Sequence, residues 1–400
     1  MTIKTGLLLL SSVVVTATSL AAEKNLSDVI KESFDFSATQ YSGMLDRLSM
    51  QTGFPRTFVD GKLATGNPTN WTSGFFPGSL WFLYEYTGEE KWKKSAIKYT
   101  EALKEMKDYK KTHDLGFVLY CSYGNGYRLT GDASYRSVLI DGAHSLSTRF
   151  NPTVGCIKSW DHGDWKYPVI IDNLMNLEML TWASRAAPDP KLNEIAITHA
   201  DTTLLNHYRP DHSSYHVVGY DPETGKVEVK QTHQGAADNS AWARGQTWGL
   251  YGYTMMYRET RKPVYLDQAK AIAGFLISHP RLPADKVPYW DFDAKDIPNA
   301  PRDASAAAIM CSGLIELSGY VDKTLAKQYL AVAEQQLRSL SSDSYRAKLG
   351  ENGSFILMHS TGNYPQHADI DVPLNYADYY YLEAMLRYKK LLGGSAKAAN

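Results

Sequence analysis

Gly78-Ser79-Leu80-Trp81-Phe82-Leu83-Tyr84-Glu85-Tyr86-Thr87, stopped by Gly88 and followed by Lys91-Trp92-Lys93-Lys94-Ser95-Ala96-Ile97-Lys98-Tyr99-Thr100-Glu101-Ala102-Leu103, is the stretch on which the fold turns. The first half is an aromatic, apolar helix, and the second is a more charged, amphipathic one. The same hairpin returns four times: Leu115–Thr130 turns at Gly131 into Tyr135–Leu146, and Ile171–Ala186 turns at Pro188-Asp189-Pro190 into Leu192–Leu205. Gly245–Thr260 turns near Pro263 into Tyr265–Ile277, and Ala304–Leu317 turns near Gly319 into Thr324–Leu340. Apolar residues in the second helices recur three and four apart, as in Ile272, Phe275 and Leu276 or Leu330, Ala333 and Leu337, which is the spacing of a helix with one buried face. A helix at about 26–50 and another at about 374–392 bring the count to twelve. Two concentric rings of six, with the apolar helix of each pair inside, account for both the count and the two helix classes. The expected fold is all-α, an (α/α)6 barrel of six helical hairpins forming one domain over residues 23–400. A stacked solenoid is the alternative, and the uneven spacing, with long inserts after the second helices, argues against it. One insert is not helical: Ser214–Gln231 alternates around Asp221-Pro222-Glu223-Thr224-Gly225 and reads as a β-hairpin expected to cover the barrel mouth.

Composition narrows the function. Among 400 residues, 44% are apolar and 21% charged, enough for a large core, and Lys+Arg 42 against Asp+Glu 43 supports neither a nucleic-acid-binding nor a polybasic membrane surface. Three cysteines, Cys121, Cys156 and Cys311, match neither a disulfide framework nor a zinc spacing. Twenty-seven Tyr, 9 Trp and 12 Phe suit the flat faces of sugars, although such rings also fill helical cores. Met1–Ala22, with Lys4 ahead of a short apolar run and Ser19-Leu20-Ala21 before the cut, reads as a secretory signal, so the expected location is periplasmic or extracellular.

Polar residues that interrupt the apolar helices carry the chemistry, because a buried carboxylate is costly unless paired or used. Asp114, after His113, opens the second hairpin and reads either as a helix cap or as a site acid. Asp172 lies in the apolar run Val169-Ile170-Ile171-Asp172-Asn173-Leu174, where burial would raise its pKa as a general acid requires. Two such acids facing one cavity would titrate apart, which suits glycosidic bond chemistry. Arg244 and Trp248, four residues apart in Trp242-Ala243-Arg244-Gly245-Gln246-Thr247-Trp248, could hold an anionic sugar or form a cation–π pair in the core. Trp71 and Trp160 are candidate sugar platforms, His216 and Gln234 lie in or beside the hairpin, and Ser360 and Thr361 could offer donors to an anion. Asp291-Phe292-Asp293 and Asp369-Ile370-Asp371 lack the further oxygen ligands that calcium needs, and no metal-protease, phosphate-loop or nucleophile-elbow motif occurs. The expectation is a site without metal or cofactor.

Five blocks carry a resemblance: Asn70-Trp71-Thr72-Ser73-Gly74-Phe75-Phe76-Pro77-Gly78, His113-Asp114-Leu115-Gly116-Phe117, Ile170-Ile171-Asp172-Asn173, the Trp242–Trp248 run, and Asp371-Val372-Pro373-Leu374 with Tyr376-Ala377-Asp378-Tyr379-Tyr380. In this order, over about 70–392, the chain resembles glycoside hydrolase family 88, the unsaturated glucuronyl hydrolases. The resemblance implies an (α/α)6 barrel and a reaction on oligosaccharides left by polysaccharide lyases, whose terminal sugar is a 4,5-unsaturated uronic acid. It implies Asp172 as general acid/base and Asp114 as the second essential acid. His113, Trp71, Trp160, His216, Gln234, Arg244 and Trp248 would line the pocket, and Ser360 and Thr361 would serve the substrate carboxylate. A hydrolase of unsaturated rhamnogalacturonan fragments and a glycan-binding protein without catalysis are the alternatives.

Overall fold

The computed structural model describes residues 24–398, so the expected signal segment lies outside the described residues. Twelve α-helices follow one another: α1 (Leu26–Leu48), α2 (Phe75–Thr87), α3 (Glu90–Glu101), α4 (Asn125–Thr130), α5 (Ala133–Ser147), α6 (Leu177–Ala186), α7 (Pro190–Asn206), α8 (Ala243–Thr260), α9 (Pro263–Ser278), α10 (Ala304–Ser318), α11 (Lys323–Leu340) and α12 (Asn375–Ala398). Six segments form a closed inner ring: α2, a π-helix (Gly116–Gly124) running into α4, a 3-10 turn (Ile171–Asn176) running into α6, then α8, α10 and α12, which packs back on α2. Helices α3, α5, α7, α9 and α11 lie outside their partners, and α1 completes the outer ring against α2, α11 and α12.

The two helix classes follow from side-chain placement. α10 is buried at every position but Glu316, carries the small-residue run Ala304-Ser305-Ala306-Ala307-Ala308, and packs against α8, α11 and α12. α11 buries one stripe, Tyr329, Val332, Ala333, Gln336, Leu337, Ser339 and Leu340, and leaves the opposite face to solvent. Gly88 and Gly131 end their helices with φ of 71° and 70°, a left-handed conformation that costs glycine little. Asp132, Asp189, Asp303 and Asp322 start helices by accepting hydrogen bonds from backbone amides in the first turn, each a cap of about 1 kcal/mol.

The strands lie in the inserts. β1 (Phe54–Val59) and β2 (Lys62–Gly66) form a hairpin before α2, β3 (Phe150–Asn151) and β4 (Cys156–Ile157) a minimal pair, and β5 (Tyr167–Ile170), β6 (Val217–Tyr220) and β7 (Val227–Gln231) a three-stranded antiparallel sheet. β8 (Ser360–Asn363) and β9 (Ala368–Val372) form a last hairpin before α12. Two expectations change. The insert at 214–231 is not an isolated hairpin, because β5 adds a third strand with Ile170 opposite Val217. The helices expected from Leu115 and Ile171 begin as a π-helix and a 3-10 turn. Both departures lie where inner segments meet the cavity, and π-turns concentrate at such places.

Candidate active site

Five of the six inner segments present their N-terminal ends to one cavity of about 390 Å³. Its wall draws on the approach to α2 (Asn70, Trp71, Thr72), the start of the π-helix (Lys111 to Asp114, Phe117), the end of β5 with the 3-10 turn (Ile170, Asp172), the start of α8 (Arg244) and the start of α12 (Leu374, Tyr376). Helix N-termini carry unsatisfied N–H groups and partial positive charge, so this mouth favours an anionic ligand before any side chain is counted.

Asp172 is held in place by the sheet. Register of β5 against β6 brings Ile171 N–H to donate to the His216 carbonyl at 3.1 Å, setting Asp172 beside the His216 ring. Asp172 is 8% exposed, and its Oδ2 has no hydrogen-bond partner. Burial pushes its carboxyl up to about 7, Arg244 opposes the rise, and the charge of Asp114 adds to it. His216 Nδ1 accepts from the backbone N–H groups of His233 and Gln234, both at 3.1 Å, so the ring proton belongs on Nε2. That nitrogen is 3.8 Å from Asp172 Oδ2 and is itself unpartnered. Burial keeps His216 neutral by lowering its pKa well below the usual value.

Asp114 is not a helix cap. Its carboxylate accepts from the Thr112 hydroxyl at 2.6 Å and is 3.1 Å from His113 Nε2. His113 is buried, which lowers its pKa, with Asp114 acting in the opposite sense. The two acid-bearing segments are tied directly: Asn176 Oδ1 accepts the Phe117 N–H at 3.0 Å. Their closeness requires Gly116, where a Cβ would meet Asn176 Cα at 2.6 Å. Trp160 forms the rim with His162, whose ring stacks on it at 5.3 Å, and with His233 at 5.5 Å. Gln234, also in the wall, donates to the Gly362 carbonyl at 2.9 Å.

Asp114, Asp172, His113, Trp71, Trp160, Gln234 and Arg244 therefore share one cavity. His216 and Trp248 stand behind its surface, His216 behind Asp172 and Trp248 fully buried against Phe117 and Tyr380. The expected pairing of Arg244 with Trp248 is corrected, because the guanidinium stacks on Trp242 at 4.6 Å and Tyr376 at 5.4 Å. Arg244 is also heavily engaged, donating to Asp303 at 2.8 Å and to the carbonyls of Thr361 and Gly362, both at 2.6 Å. Ser360 and Thr361 are buried off the wall, the Thr361 hydroxyl donating to the Arg302 carbonyl; Gly362 and Asn363 face the cavity instead. Sequence reasoning missed Arg56, Lys111, His162, His233 and Asp369, all in the wall. Arg56 on β1 pairs with Asp369 on β9, a contact between residues 313 apart that leaves no local signal. Asp291 accepts from Ala236 N–H, Ser240 and Asp293 N–H, which braces the loop carrying His233 and Gln234.

The model of Glycosyl Hydrolase Family 88 matches residues 49–393. The chain belongs to that family. An unsaturated glucuronyl hydrolase of Formosa agariphila is 49% identical over 81% of each chain. That of Bacillus sp. strain GL1 is 34% identical over 83% of this chain and 90% of its own. Among solved structures, an unsaturated glucuronyl hydrolase specific for heparin superposes with a TM-score of 0.88 at 49% identity, covering 92% of this chain and 98% of that one. The chain is thus a glycosidase of the unsaturated glucuronyl hydrolase type, and its barrel is the fold of its relatives.

Proposed function

We propose that this enzyme releases the 4,5-unsaturated uronic acid from lyase-generated glycosaminoglycan oligosaccharides, with Asp172 as the acid that protonates C4. The observation that carries this reading is Asp172 itself: a buried carboxyl raised to about 7, with an unpartnered oxygen, in one cavity with Asp114. The C4=C5 bond is an enol ether, so a proton delivered to C4 leaves positive charge shared by C5 and the ring oxygen. A carboxylate close by stabilises that charge, and Asp114 fills this role. Water then adds at C5 as Asp172, now ionised, takes its proton. The hemiketal opens, and the aglycone leaves from C1 without attack at the anomeric carbon. One residue serves as acid and then base. His216, neutral with its proton on Nε2, turns that N–H toward the Asp172 carboxyl from 3.8 Å. The converging helix N-termini and Arg244 favour the uronate carboxylate, and Trp71 and Trp160 offer faces to the sugars. The 49% identity to a hydrolase described as specific for heparin favours heparin-type lyase products as substrates.

Turnover destroys the conjugated chromophore, so ultraviolet absorbance falls as product forms. Asp172→Asn should fold and bind an unsaturated heparin disaccharide yet show no absorbance loss, and normal turnover by that variant would remove the mechanism. Heparin, chondroitin and pectin lyase products compared side by side test the substrate class. Export to the periplasm or medium belongs to the same proposal, and the N-terminal sequence of the mature protein tests it: cleavage near Ala22 supports it, and an intact Met1 refutes it.

A further inference from the structure

The barrel holds a second cavity, of about 480 Å³, at the end opposite the acids. Phe117 lines both cavities, and the rings packed around it, Phe75, Trp71 and Trp248, form the partition between them. The lower wall comes from Phe82 and Glu85 of α2, the π-helix with α4, Glu178 and Trp182 of α6, Tyr251 of α8 and α12 from Tyr379 to Lys390. Trp182 stands edge-on to Tyr120 at 6.2 Å and to Tyr127 at 5.5 Å, making an aromatic corner. Both tyrosine hydroxyls and the Trp182 indole nitrogen lack a hydrogen-bond partner among the described residues, and all three side chains are only partly buried.

Charge at this end is already matched inside the protein. Glu85 takes both guanidinium nitrogens of Arg128, at 3.0 and 2.6 Å, and Lys390 at 2.9 Å. Glu383 accepts from Tyr251 and Ser312 and lies 3.5 Å from Arg387, which also pairs with Glu316. Glu178 pairs with Arg258. An ionic ligand would have to displace one of these partners. An uncharged ligand with apolar faces and many hydroxyls would not, because paired carboxylates and guanidiniums keep spare acceptor and donor positions while the rings take the faces.

We infer that this cavity is a binding site for a neutral pyranoside, distinct from the site that cleaves unsaturated uronides. The inference does not rest on the proposed catalytic roles. Titration calorimetry of the full chain with cellobiose, up to about 10 mM, should show saturable binding in the millimolar range usual for weak sugar sites. Trp182→Ala and, as a milder change, Tyr127→Phe should weaken it, the first at least tenfold, while turnover of the unsaturated disaccharide stays within twofold. Asp172→Asn and Trp160→Ala, at the other end, should leave cellobiose binding unchanged. No binding by the folded wild type would overturn the inference. So would binding that Trp160→Ala abolishes and Trp182→Ala spares, since that would assign the sugar to the uronide cavity.

Discussion

Replacing Asp172 with Asn should make the folded protein more stable as pH rises, even as it abolishes turnover. A carboxyl whose native pKa lies near 7 instead of 3.8 keeps its proton in the folded state over a range where the unfolded chain has released it. The folded state then binds more protons between about pH 4 and 7, so the contribution of this group to stability falls as pH rises through that window. At about 1.4 kcal/mol for each pH unit, the penalty approaches about 4 kcal/mol above pH 7, a large share of a typical net stability. Asn is neutral throughout and of similar shape, and it escapes the penalty. Glu178 and Asp378, which burial also raises to about 7, are present in both proteins and cancel. Urea unfolding of wild type and Asp172→Asn at pH 5, 6, 7 and 8.5 should show the variant gaining by about 2–3 kcal/mol between the lowest and highest pH, levelling off above 7. A stability difference that does not change with pH would refute the claim that position 172 buries an acid. The same proton sets the alkaline limb of activity, so wild-type kcat/KM should decline above about pH 7.

Asp114→Asn should lower kcat by about a hundredfold or more, and, because the Asp114 charge helps to raise the Asp172 carboxyl, the residual alkaline limb should move to lower pH in a pH–rate profile. His216→Ala removes the acceptor for two backbone amides, so steady-state kinetics should show KM rising together with a loss of kcat of about tenfold or more. Gly116→Ala sets a methyl group against Asn176 and should cost about 1–3 kcal/mol in denaturant unfolding, with activity falling further than stability because both acid-bearing segments shift. Arg244→Met leaves Asp303 buried and unpaired; a loss of about 3–5 kcal/mol in the same assay is expected, and near-neutral stability would contradict the clamp.

Much of this architecture is legible from local patterns. The hairpins announce themselves through helical periodicity and through glycines at 88 and 131 that adopt left-handed turns. Asp172 stands out for a simple reason: an acid in an apolar run must be explained, and its burial is the explanation. The failures share a cause too. β5 is four residues long, too short for a period to show, and it becomes a strand only because β6 is there to pair with it. Arg56 and Asp369 meet across most of the chain. Trp248 and Ser360 were expected at the cavity from their neighbourhood, but helix phase and strand direction turn them inward, and neither can be read without the packing partners.

The π-turn at Gly116–Gly124 has a consequence for how the two acids meet. Such a turn holds one residue more than an α-helix would place in the same length. Winding the same nine residues as a regular α-helix, at about 100° per residue, would instead change the phase of everything N-terminal to them. Asp114 would then no longer face Asp172, so the irregular ladder is what sets the two acids over one cavity.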